Sequence, residues 1–157
     1  MFGALRSGLL RSRADVRGNV MIEFALALPV LFLLMAGLLD LGRYSLQKSA
    51  TLNGARQGAQ YGVLASSDST NINTTAQNAT GLAGVTATNT VFCECVAGTT
   101  VSCATVCGGG QTLKKYITVN TTQTFTSILN VATLSFGSFG SWTPPTSITS
   151  SVTLIVP

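Results

Sequence analysis

From Phe24 to Leu39 the chain carries no charged residue, and every position is apolar or glycine. Such a run has no polar face to turn toward water, so it must be buried on all sides or lie in lipid. As a helix rising about 1.5 Å per residue it covers about 24 Å, slightly less than a hydrocarbon core of ~30 Å. Val20–Glu23 and Asp40–Leu41 extend it to spanning length. A secretory signal also pairs a basic leader with an apolar segment. Here the run is long for one, and Asp40 and Arg43 follow it in place of a small-x-small site. The expectation is an uncleaved membrane anchor, with Pro29 bending the helix by removing one backbone hydrogen bond.

Charge placement orients that anchor. Arg6, Arg11, Arg13 and Arg17 precede it, against Arg43 and Lys48 after it, which favours a cytoplasmic N-terminus. The net charge of +4 is largely this leader; after Arg56 only Asp68, Glu94, Lys114 and Lys115 are charged. A nucleic-acid site needs basic residues gathered on a folded surface, so none is expected. The chain has no His, and its five acids are far apart. An imidazole base and a His-ligated metal are excluded, and no enzyme activity, cofactor or small-molecule substrate is expected.

Beyond Leu41 the helix is expected to continue as a stem to Leu64. Leu38, Leu41, Ser45, Leu52, Ala55, Ala59 and Val63 recur near the helical period. Ala50, Gly54, Gly58 and Gly62 form a second series, spaced by four along one ridge. Each interior Gly costs roughly 1 kcal/mol relative to Ala, and small residues at this spacing permit close backbone approach. The partner is either another subunit or the chain's own sheet, unless Gly58 and Gly62 simply fray the helix end.

Residues 65–157 read as a small outer domain. Ile72, Ala76, Ala79 and Leu82-Ala83 have helical spacing after caps at Asp68 and Ser69. Three segments then alternate with period two: Val85 to Cys95, Tyr116 to Phe125, and Ile148 to Val156. Thr, Val, Ile and aromatic residues favour strands. The fold class expected is α+β: a long N-terminal transmembrane helix whose stem packs on an antiparallel sheet of about three strands. Gly108–Gly110 marks a loop, and Trp142-Thr143-Pro144-Pro145 breaks the chain before the last strand. Cys93, Cys95, Cys103 and Cys107 have the spacing C-x-C-x7-C-x3-C, without the CxxC pairs of a zinc site. In an oxidising compartment they favour two disulfides. Crossing or nested pairs fit better than neighbouring ones; the nested form, Cys95–Cys103 inside Cys93–Cys107, suits a hairpin-like loop.

Glu23 is the anomaly. A charge at the centre of a spanning helix costs about 2.5–3.5 kcal/mol on insertion scales, and less near an end. It either marks the lipid–water boundary or has a partner. A cut between Gly18 and Asn19 would create an ammonium group at Asn19, about one helical turn from Glu23. The carboxylate would then pair with that amine or with a neighbouring subunit's, fixing axial register because an unpaired buried charge is heavily penalised.

The stretch "RGNVMIEFALALPVLFLLMAGLLDLGRY", followed by "LNGARQGAQYG", resembles the TadE-like family of pseudopilins or minor pilins in the Tad/Flp type IV pilus system. Gly18, Glu23-Phe24, Pro29, Gly42-Arg43, Ala55-Arg56 and Gly58-Ala59 carry the resemblance over residues 17–62. It implies a pilin-like fold and cleavage after Gly18 by prepilin peptidase. The implied layout is a leader over residues 1–18, a span over 19–41, a stem over 42–64 and an outer domain over 65–157. It further implies a single-pass protein of the bacterial inner membrane with the outer domain periplasmic or extracellular. The implied partners are prepilin peptidase, other pilins or pseudopilins of the Tad system, and the inner-membrane assembly platform. The implied role is a structural subunit contributing to filament initiation, tip or assembly. The alternatives are a permanently anchored assembly factor, or an exported adhesive or ligand-binding module.

Overall fold

The computed structural model describes residues 16–128, 133–135 and 137–157. Most of the expected leader, with Arg6, Arg11 and Arg13, lies outside the described residues. The chain divides into two units, Met1–Ala36 and Gly37–Pro157.

One helix, α1 (Val16–Leu64), opens the chain and contains Pro29. The first unit holds its apolar part, where Phe24, Leu31, Phe32 and Leu34 are all exposed. The helix is long and apolar enough to cross a membrane.

The second unit begins with the rest of α1. After it comes α2 (Ser69–Ala79), started by Asp68, whose carboxylate accepts the Asn71 backbone N–H at 3.2 Å and the Asn71 side-chain amide at 2.7 Å. These bonds satisfy a free first-turn donor and hold the Asp68 carboxyl below its usual range. The Tyr61 hydroxyl also donates to Asp68 at 3.2 Å; partial burial and the nearby carboxylate push that phenol above its usual range. The helix stops at Ala79, short of the expected Leu82-Ala83, because Thr80 turns its hydroxyl back onto the Gln77 carbonyl and Gly81 follows with φ +64°.

The strands are β1 (Thr86–Val96), β2 (Thr99–Val101), β3 (Lys114–Thr124), β4 (Leu134–Ser135), β5 (Ser141–Trp142) and β6 (Ser147–Val156). The main sheet is antiparallel, as expected, and has four strands in the order β2-β1-β3-β6, one more than the three alternating segments. The added strand, β2, is three residues long and pairs only with β1, so its own sequence carries too little alternation to reveal it. β4 and β5 form a separate small hairpin.

Period two sets what each face meets. Ala87 and Cys93 on β1, Ile117, Val119 and Thr121 on β3, and Ile148 and Ser150 on β6 are buried. The core joins Ala59 of α1, Ile72 and Ala76 of α2, and Ala87, Ile117 and Val119 of the sheet. The opposite face carries hydroxyls, with Thr118 and Thr153 bonded across strands at 2.7 Å and Thr122 and Thr149 at 3.3 Å.

The glycine ridge packs within this unit. A Cβ on Gly54 would lie 2.4 Å from Thr80 Cγ2 and 2.5 Å from the Ala76 carbonyl oxygen. On Gly58 it would meet the Ala76 Cβ at 2.6 Å, and on Gly62 it would meet the Ile117 Cδ1. The absent side chains let α2 and β3 approach α1 closely, and Ala50, at the head of the series, is half-buried.

A polar seam ties the same helix to the sheet. Thr51 is fully buried and gives its one hydroxyl proton to the Lys48 carbonyl at 2.9 Å. The Ser150 hydroxyl, 2.8 Å away, is therefore the donor to Thr51 Oγ1. Thr121 donates to the Thr51 carbonyl at 2.9 Å, and the Lys48 ammonium donates to the Thr149 carbonyl. Buried hydroxyls are tolerated here because each has a partner.

Candidate assembly site on the N-terminal helix

The site begins with backbone. The peptide bond between Gly18 and Asn19 lies within the helical part of α1, close to the first of the described residues. Glycine at position 18 adds no side chain to hinder an approaching group.

Glu23 lies four residues beyond Asn19, about 6 Å further along the axis. Its side chain is exposed. Val20, one turn behind it, and Leu26, nearly one turn ahead, are also exposed, at 60% and 71%. It is the one charged residue between Arg17 and Asp40. The result is a single carboxylate on an otherwise apolar surface. Pro29 follows within the uninterrupted helix. Having no N–H, it leaves the Ala25 carbonyl without its usual intrahelical donor.

Asp40 ends the apolar run. Arg43, one turn on, lies 3.6 Å from it, as the i, i+3 spacing predicts. Its larger role was not legible locally. The carboxylate also accepts the Ile128 backbone N–H at 2.9 Å and the Ser127 hydroxyl. Those partners lie 88 and 87 residues away, and no local pattern announces them. Beside this anchor, Tyr44 meets Phe125 edge-on with ring centroids 5.5 Å apart, and the Arg43 guanidinium lies 5.8 Å from the Phe125 ring centre. Charged-group hydrogen bonds are stronger than neutral ones, so Asp40 fixes the chain leaving β3 against the helix.

All four cysteines are bonded, as Cys93–Cys103 and Cys95–Cys107. The pairs cross; the nested arrangement does not form. The register explains this. Cys93 stands opposite Val101, so the chain leaving β2 toward Cys103 moves away from Cys95. Extending that register would put Cys95 and Cys103 about four residues apart along the strands, roughly 13 Å, beyond the reach of a disulfide. Cys107, four residues beyond Cys103, closes onto Cys95 instead.

The TadE-like protein family model matches residues 18–60. The matched segment starts at Gly18, includes Glu23 and Pro29, and ends within the glycine ridge. No curated protein and no solved structure matches the chain. The family match points to a pilin-like protein associated with a Tad-type pilus.

Proposed function

We propose that this chain is a pilin-like structural subunit of a Tad/Flp-type pilus, made as a precursor and cut between Gly18 and Asn19 by prepilin peptidase. Its layout is a leader over residues 1–18, a span over 19–41, a stem over 42–64 and an outer domain over 65–157. The N-terminus is cytoplasmic and the outer domain lies beyond the inner membrane. Other pilins or pseudopilins and the assembly platform are its partners, and the subunit contributes to filament initiation, tip or assembly. The observation that carries this reading is Glu23, a lone exposed carboxylate on an apolar helix, one turn from Asn19.

Cleavage changes the electrostatics of that helix. After the cut the helix begins at Asn19 or close to it, and Glu23 enters the turn where the helix dipole favours negative charge. The new ammonium group supplies a full positive charge nearby. In a stack of such helices the amine of one subunit pairs with Glu23 of its neighbour. In a low-dielectric seam an offset register would separate the charges and be penalised. The membrane thus stores the subunit, and the filament reuses the same apolar helix.

Glu23→Gln tests the reading, because it keeps size while removing charge. Insertion should equal or exceed wild type, since a neutral amide is cheaper to place in lipid, and cleavage should persist. Processed protein should accumulate in membranes and fall sharply in sheared filaments. Filament incorporation equal to wild type would refute the register mechanism.

A further inference from the structure

The face of the main sheet turned away from the helices is a field of hydroxyls. Alternation along the strands puts Thr86, Thr88 and Thr90 of β1 on this face, with Thr149, Ser151 and Thr153 of β6, and all of them are exposed. β3 runs between the two. Its register sets Thr122 beside Thr86 and Thr149, Asn120 beside Thr88 and Ser151, and Thr118 beside Thr90 and Thr153. The result is a grid, three strands wide and three residues long, of hydroxyls around one amide. With strands about 4.8 Å apart and same-face residues about 6.8 Å apart, it covers about 10 by 14 Å.

Thr is common in strands, and one exposed Thr needs no explanation. A surface that has only to stay soluble is best built with charge at about a quarter to a third of its positions, and this grid has none. The first charges on the face, Glu94 and Lys114, stand opposite each other beyond one further row. That row is apolar. Phe92 and Tyr116 stack with ring centroids 5.2 Å apart, and Ile155, beside Tyr116, is 53% exposed. The hydroxyls do not exhaust one another. Thr118 and Thr153 share one proton at 2.7 Å, which leaves a second proton and further lone pairs for an outside partner.

These features select the chemistry of that partner. An uncharged grid offers no ion pair to a phosphate backbone or to an acidic or basic peptide. Its hydroxyls and amide suit a ligand that presents many neutral donors and acceptors, and the apolar row suits one that also has C–H surfaces. A sugar chain has both. Sheet twist narrows the choice further. Adjacent strands rotate by about 20–25°, so two steps turn the grid by about 40–50°. A flat lattice, such as ice or a crystalline polysaccharide face, does not follow that turn, whereas a single chain of linked sugars does.

We propose that the outer face of β1, β3 and β6 is a docking surface for a single chain of a neutral polysaccharide. The grid around Asn120 bonds the hydroxyls of the sugar chain, and the row of Phe92, Tyr116 and Ile155 packs against its C–H surfaces. The inference rests on the sheet alone and holds whether or not the chain enters a filament.

The full chain, disulfides intact, is kept in a zwitterionic detergent, because a sugar-headed detergent would compete for the face. It is passed over sensor surfaces carrying hydroxyethylcellulose, which is neutral, or carboxymethylcellulose, which has the same backbone with added charge. At physiological ionic strength it should bind the neutral polymer and bind the charged one more weakly. Thr88→Val with Thr90→Val keeps the size and strand preference of β1 while removing two exposed hydroxyls, and should weaken binding about tenfold. Ser151→Lys, on the opposite strand, puts a charge into the grid and should weaken it as well; melting curves check that each variant is folded. Absence of binding to hydroxyethylcellulose overturns the proposal, as does binding by folded variants equal to wild type. Preference for the charged polymer also overturns it, by pointing to the basic residues, and so does binding confined to crystalline cellulose powder. If the substitutions change only self-association in sedimentation, the face is a contact between copies and the proposal fails.

Discussion

Gly54→Ala sets two known effects of similar size against each other. In an open helix the change gains about 1 kcal/mol of helix propensity. At this position the new Cβ would lie 2.5 Å from the Ala76 carbonyl oxygen and 2.4 Å from Thr80 Cγ2. The carbonyl is backbone of α2 and cannot rotate aside. Reaching ordinary contact requires α2 to retreat by roughly 0.9 Å, and gaps of that order forfeit about a quarter to a half of the dispersion attraction across them. Overpacking of this kind costs about 1–3 kcal/mol. The balance is a loss of up to about 2 kcal/mol, or a Tm lower by up to about 8 °C. Gly42→Ala is the control, since its Cβ would meet nothing within 4 Å; it should hold or raise Tm. Gly62→Ala should fall between them, because its Cβ meets the end of the Ile117 side chain. Melting followed by circular dichroism of the full chain in detergent, disulfides intact, gives the ranking. A Gly54→Ala protein at least as stable as Gly42→Ala would refute the packing of α2 on this ridge.

Thr51→Val should cost about 1–3 kcal/mol, because it removes the acceptor of the buried Ser150 proton. Adding Ser150→Ala should recover most of that loss, and simple additivity of the two losses in denaturant titrations would show that the hydroxyls do not depend on each other. Proteolysis of unreduced protein followed by mass spectrometry should join Cys93 to Cys103 and Cys95 to Cys107; a Cys95–Cys103 peptide would contradict the register of β1 with β2.

The long strands were legible because one face of each is buried. Ile117, Val119 and Thr121 recur with period two, and burial matches that period. α2 was legible from Ile72 and Ala76 and from Asp68 ahead of them, although its end at Ala79 depended on the side chain of Thr80. β2 escaped because three residues in a Thr- and Gly-rich loop become a strand only when β1 supplies the partner. The partner of the glycine ridge also stayed open, since close approach to α2, to β3 or to another subunit demands the same small residues. Ser150 shows the limit of polarity as a guide: it reads as a surface residue and is buried because Thr51 lies 2.8 Å away on a distant element. At the candidate site the reverse holds. Gly18, Glu23 and Pro29 are local features of one helix, so their spacing could be read directly, whereas the clamp from Asp40 to Ser127 and Ile128 requires the fold.

The central claim is that the helix of this subunit enters the filament after a cut between Gly18 and Asn19. Mass spectrometry of the N-terminal peptide from sheared, purified filaments tests it most directly. This chain should be present in the filaments with Asn19 as its first residue. Filament-bound chain that retains residues before Asn19, or chain found only in membranes with its leader intact, would contradict the claim.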